Sequence, residues 1–139
     1  MPDNVLTAAE LEARLRQAPF NAWMDLRVVE LTEEFVDIAL AWKPAMANAR
    51  MEVAHGGIVG ALIDTAADYA IAAKLGRVAP TVDLRVDYHL PAAAGVLRVR
   101  ARVVRLGGTL AVAEAEAFDA TGRMVASGRG TYFTAEPKG

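Results

Sequence analysis

The segment from Gly57 to Leu75 is the only long stretch with a helical pattern, and it is apolar on nearly every side. It is rich in Ala, with Ile, Leu and Tyr distributed around the helix, and Gly76 stands where such a helix would stop. A helix that is apolar all round cannot lie on a surface and must be enclosed. At 139 residues the chain fits one domain with a real core and is short for two, so the wall around this helix is expected from the same domain.

The flanking segments supply that wall as strands. Thr81 to Leu90 alternates polar and apolar residues without a break, the period of a strand with one face in water, and Pro91 closes it. Val96 to Leu106 alternates too and places Arg98, Arg100 and Arg102 on one face, while Val103-Val104 breaks the period and predicts a bulge. Gly107-Gly108 turns into a strand over Thr109 to Asp119, and Ala120-Thr121-Gly122 turns into another over Arg123 to Thr134. Ahead of the helix, Thr7-Ala8-Ala9-Glu10 has the capping-box pattern and predicts a short helix from about Ala8 to Gln17, ended by Pro19. Leu26 to Leu31 and Glu34 to Trp42 read as two strands of a hairpin around Thr32-Glu33. Lys43 to Ala54 contains Pro44 and no clear period and reads as a loop; Glu136 to Gly139 reads as a frayed end.

Two of these strands carry an unusual face. Ala111, Ala113, Ala115 and Ala117 share one side of the first, and Ala126, Gly128 and Gly130 share one side of the second. Side chains this small let a thick helix approach the sheet closely. The expected architecture is therefore α+β, a curved antiparallel sheet wrapped around one central helix.

Composition narrows the function. A hydrophobic fraction of 54% is high for a free monomer of this size and predicts apolar surface buried between subunits. No apolar run reaches the roughly 18 residues of a membrane span, and Met1-Pro2-Asp3-Asn4 begins no signal peptide, so a cytoplasmic protein is expected. Without cysteine there are no disulfides, zinc-thiolate sites, iron–sulfur clusters or thiol nucleophiles. A formal net charge of −2 argues against nucleic acid as a partner.

Chemistry concentrates where the long helix begins. In His55-Gly56-Gly57 two backbone N–H groups stand at a helix start with the dipole behind them, which suits a carbonyl oxygen gaining negative charge. Asp64, near the second turn, is a carboxylate in a largely apolar helix, a placement that costs stability unless it has a partner or a function. Asp68, four residues on, shares its face and reads as structural or supporting. His55 reads as orienting the loop, since His89, the other histidine, lies far along the chain and the two make no metal centre. Thr65 is a candidate contact for water or substrate, or a bond to its own backbone. Arg98, Arg100, Arg102 and Arg105 read as a solvated face, with a phosphate clamp as the alternative. Ser127, the only serine, lies outside any Gly-x-Ser-x-Gly elbow, which speaks against a serine-hydrolase triad.

Taken in order, His55-Gly56-Gly57, Leu62-x-Asp64-Thr65-Ala66, Thr81-Val82-Asp83-Leu84, Tyr88-x-x-Pro91-Ala92 and Leu106-Gly107-x-Thr109-Leu110-Ala111 resemble the hotdog-fold acyl-CoA thioesterases, specifically the phenylacetate-degradation-type subfamily. The resemblance runs from about Leu26 to Phe133. It implies that Asp64 is the catalytic nucleophile or general base and that the Gly56 N–H polarises the thioester carbonyl. It also implies His55, Gly57, Asn48 and Thr65 around the substrate, no metal and no redox cofactor, and coenzyme A only as part of the substrate. The Asn usual in the family six residues before the His falls at Ala49, so the neighbouring Asn48 is the candidate; Glu52 stands where that segment has a glycine. Leu90 and Gly108 replace residues that are polar or basic in many members. A homodimer or dimer of dimers acting on an acyl-CoA is the expectation. A non-catalytic acyl-CoA-binding domain and a hotdog hydratase or dehydratase are the alternatives, the latter disfavoured by the lack of a histidine partner for Asp64.

Overall fold

The computed structural model describes residues 1–50 and 52–136. Its centre is a 20-residue helix, Gly56–Leu75. Around it, in chain order, are α1 (Ala8–Leu15), α2 (Pro19–Trp23), β1 (Leu26–Leu31), β2 (Val36–Leu40), a 3-10 turn (Pro44–Met46), the central helix as α3, β3 (Thr81–Tyr88), β4 (Leu97–Leu106), β5 (Leu110–Phe118) and β6 (Met124–Phe133). The strands form one six-stranded antiparallel sheet in the order β1-β2-β4-β5-β6-β3. The sheet-and-central-helix architecture expected from the sequence is the one found.

The small-residue face lies against α3. Ala113, Ala115 and Ala117 pair with Gly130, Gly128 and Ala126, and the four alanines of β5 are all buried. A Cβ on Gly128 would come within 2.7 Å of both the Ile63 methyl of α3 and the Arg85 carbonyl of β3, so a side chain there would force helix and strand apart. On the opposite face the arginines of β4 meet carboxylates. Arg100 makes a two-pronged pair with Asp37 at 2.8 Å, and Arg102 and Arg129 both reach Glu114. The bulge expected at Val103-Val104 is present as a register shift between Val103 and Arg105.

α3 is apolar enough to be enclosed, and its one buried cation is accommodated at its end. Lys74 donates to the carbonyls of Pro2 (3.0 Å) and Glu33 (2.9 Å), while Val5 and Leu6 donate to the Ala73 carbonyl, so the N-terminal segment straps the end of the helix. Gly76, in the left-handed region at φ 84°, provides the C-cap.

Several local expectations need correction. α1 ends at Leu15, and Pro19 starts a second short helix, where its fixed φ and missing N–H suit the first helical position. β2 is shorter than Glu34 to Trp42, and the loop from Lys43 contains a 3-10 turn also begun by a proline. β3 does not have one covered and one wet face: Val82 and Tyr88, on its apolar side, are 59% and 55% exposed. It is the last strand of the sheet, and only Leu84 and Val86 reach the core. Of the residues expected to fray, 137–139 lie outside the described residues.

Candidate active site

α3 begins at His55, whose imidazole Nδ1 accepts the Gly57 N–H at 2.8 Å as the helix N-cap. With Nδ1 accepting, the ring proton lies on Nε2, and the imidazole is tied to the first turn of the helix. It also corrects the expectation of two free donors, because the Gly57 N–H is consumed by the cap. Gly56 N–H, by contrast, has no hydrogen-bond partner among the described residues. The neighbouring Tyr88 hydroxyl donates to the Gly56 carbonyl at 2.6 Å, and a Cβ on Gly60 would approach that hydroxyl to 3.1 Å, so Gly60 leaves room for it.

A pocket of about 310 Å³ opens beside this helix start, lined by Asn48, Gly56, Val59, Tyr88, Leu90 and Pro91 among others. The structure therefore brings Asn48 and Gly56 together, although the Asn48 side-chain oxygen itself accepts the Arg50 N–H at 2.9 Å in a local turn. His89 lines the same pocket, and its Nε2 lies 2.8 Å from Ser127 Oγ. That pair joins β6 to the residue following β3 on an exposed surface. No hydrogen bond orients the other ring nitrogen among the described residues, so it lacks the third member of a triad.

Asp64 sits elsewhere. Eight residues along the helix correspond to about 12 Å of rise, so it cannot share one carbonyl with Gly56 of its own chain. Its Oδ1 accepts hydrogen bonds from Thr81 Oγ1 (2.9 Å) and from the Tyr132 hydroxyl (3.0 Å), while Oδ2 accepts none among the described residues. Asp68, one turn on, accepts the Ala79 N–H at 3.0 Å. Burial, and then the charge of Asp64, push the Asp68 carboxyl up to about 7 against the opposing effect of that N–H. Beside Asp68 and Thr81 lies a second hollow of about 590 Å³, walled largely by Val78, Ala79, Pro80 and Phe133. Thr65 is half-buried and makes no side-chain hydrogen bond among the described residues, so it joins neither cluster.

Thr81 stands in the motif Thr81-Val82-Asp83-Leu84, but nothing in the sequence assigns it or Tyr132 a role beside Asp64. Thr81 opens the alternating strand, and Tyr132 continues the row Ala126, Gly128, Gly130 as its one large member, the signal that a side chain there must meet the helix. Among the described residues no three His, Asp or Glu side chains gather as a metal site, and no helix is long and apolar enough to cross a membrane.

The thioesterase superfamily model matches residues 51–126. The medium/long-chain acyl-CoA thioesterase YigI of Escherichia coli K12 is 27% identical over 131 residues, covering 82% of this chain and 84% of that protein. A Halobacterium salinarum protein named "Putative esterase" is 42% identical over 88 residues; that match spans 56% of this chain and 58% of the relative, a little over half its length. A solved protein of the thioesterase superfamily superposes with a TM-score of 0.87 at 38% identity, over 92% of this chain and 98% of its own. With the family model covering more than half of its length and the hotdog arrangement of sheet and central helix in place, this chain belongs to the thioesterase superfamily of hydrolases.

Proposed function

We propose that the protein is an acyl-CoA thioesterase of the phenylacetate-degradation type, acting in the cytoplasm on aromatic or medium-chain acyl groups. The observation that carries this is Asp64: a carboxylate on an enclosed apolar helix, pinned through one oxygen by two hydroxyls, with its other oxygen unengaged among the described residues. An unengaged carboxylate oxygen serves as nucleophile toward the thioester carbonyl or as base toward a water, with coenzyme A thiolate leaving. Gly56 N–H is the donor for the developing oxyanion. Coenzyme A enters as part of the substrate, and neither metal nor cofactor is invoked.

Two copies of the chain complete the site. β3 is an edge strand with an uncovered apolar side, a surface suited to pairing with its own twofold mate. Antiparallel pairing about the middle of an eight-residue strand brings the Thr81 end of one protomer beside the Tyr88 end of the other. Thr81 is bonded to Asp64 and Tyr88 to Gly56, so this register brings the carboxylate of one protomer to the helix start of the other. The pocket with Asn48 and Gly56 then adjoins the apolar hollow by Thr81, the first suited to the coenzyme arm and the second to the acyl group.

The test is release of free thiol from a panel of acyl-CoA esters. Medium-chain and aromatic esters are expected to exceed acetyl-CoA in kcat/KM, each buried methylene contributing on the order of 0.8 kcal/mol. Asp64→Asn is expected to keep the fold and lose kcat more than KM. Binding without thiol release from any ester favours the non-catalytic acyl-CoA-binding alternative, and turnover by Asp64→Asn within a few-fold of wild type removes Asp64 from the chemistry.

A further inference from the structure

Tyr132 is fully buried, although its β6 neighbours on the same face, Gly128 and Gly130, carry no side chain at all. Its ring lies across Gly130: a Cβ there would fall 2.4 Å from the hydroxyl and 2.5 Å from the ring edge, so that glycine is what lets the ring lie flat toward α3. At the end of this path the hydroxyl stands 3.0 Å from Asp64 Oδ1 and 3.2 Å from the Asp64 carbonyl. A phenol has one proton to give. The carbonyl belongs to the hydrogen-bonded helix, whereas the carboxylate oxygen is nearer and charged and makes the stronger acceptor. Burial, and then the charge of Asp64, push the phenol above its usual range, so at neutral pH it keeps its proton and donates.

We propose that Tyr132 is the positioning residue of the active carboxylate: with Thr81 it ties down Asp64 Oδ1, so that Oδ2 is the oxygen presented to the thioester or its water. This rests on Asp64 being the reacting group. The two hydroxyls approach from different strands, Thr81 from the edge strand β3 and Tyr132 from β6 beside it, and so hold the carboxylate against rotation about its own axis. Tyr132 is fully enclosed within its own chain and its direction is set by packing, whereas Thr81 stands on the edge strand. The enclosed donor gives the carboxylate its fixed orientation, the condition for a near-attack geometry.

Tyr132→Phe keeps the ring across Gly130 and removes only the hydroxyl. The expected result is a kcat lowered about tenfold to a hundredfold, the span of a hydrogen bond to a charged group. KM is expected to change by less than about twofold, because the lost contact touches no substrate atom. A merely structural tyrosine would lower the melting temperature and leave kcat of the folded fraction intact; that outcome overturns the proposal. Asp64→Asn, assayed in parallel, separates the two levels: if it is inactive while Tyr132→Phe is not impaired, the positioning role fails and the catalytic one stands. If Asp64→Asn is active, the catalytic assignment itself has failed and the role of Tyr132 falls with it. Should Tyr132→Phe not fold, 3-fluorotyrosine placed at position 132 retains the hydroxyl and the shape. Its fluorine resonance is expected to shift when Asp64→Asn is introduced, and a resonance that stays in place overturns the contact.

Discussion

Four residues beyond Asp64, on the same helix face, Asp68 holds its proton up to a pH of about 7, against an ordinary value of 3.8. The sign of the consequence follows from which state binds the proton. As pH rises from about 4, the unfolded chain ionises first while the folded chain stays protonated, so the folded state binds more protons and stability falls until about pH 7. Asp68→Asn removes this liability and retains an oxygen for the Ala79 N–H. Its melting temperature is therefore expected to differ least from wild type near pH 4 and to exceed it by a margin that grows up to about pH 7 to 8. Thermal unfolding at pH 4.5 and pH 8 checks this, and an advantage independent of pH would mean that the Asp68 proton is not the cause. Asp119 has the opposite character. Burial pushes its carboxyl up, but bonds from Thr121 and Arg123 outweigh that and hold it at about 2, so it closes the β5–β6 turn as an anion.

Among the elements, the contact between α3 and the sheet depends on missing side chains. Gly128→Ala would drive a Cβ into the Arg85 carbonyl and the Ile63 methyl, both at 2.7 Å, and neither a backbone carbonyl of a paired strand nor an enclosed helix gives way cheaply. The expected cost is about 1–3 kcal/mol of unfolding free energy. Gly108→Ala is the matched control, since a Cβ there meets nothing within 4 Å, and urea titration of the two variants should separate them clearly. Equal midpoints for both would mean that the close helix–sheet approach does not limit stability. The small faces of β5 and β6 were legible in the sequence because alternation alone assigns a side. Pro19, expected to end a helix, opens one: a proline after a helix and a proline opening the next look alike in sequence until the conformation of the following turn is known.

For the whole molecule, the proposed site depends on two chains, and complementation tests it. Asp64→Ala removes the carboxylate, and Gly56→Pro removes the N–H donor. The proline fits locally, because Gly56 is the first helical residue and His55 already has φ −58° and ψ 134°, the extended geometry favoured before proline. Each variant alone is expected to be inactive. A mixed dimer has one site with both defects and one with neither, so subunit exchange is expected to restore up to half the activity per dimer. If mixed dimers form and stay inactive while Gly56→Pro chains paired with wild type keep activity, the composite site is wrong.

The sequence by itself determined the enclosed helix, the strands around it, the side of the sheet on which helix and alanines meet, and Asp64 as the carboxylate without an evident reason to be there. Periodicity and burial cost are local properties, and they can be read wherever a pattern lasts long enough. Only the tertiary structure decided which groups meet that carboxylate. Thr81 and Tyr132 lie 17 and 68 residues away, and no spacing rule connects a helix to two strands that reach it through the sheet order β6-β3. It decided as well that one of the two glycine N–H groups is consumed, because the His55 cap depends on a side-chain rotation that the residue type does not specify. The exposure of β3 is of the same kind: its alternation is that of a half-buried strand, and its place at the sheet edge comes from the order in which the other strands pair.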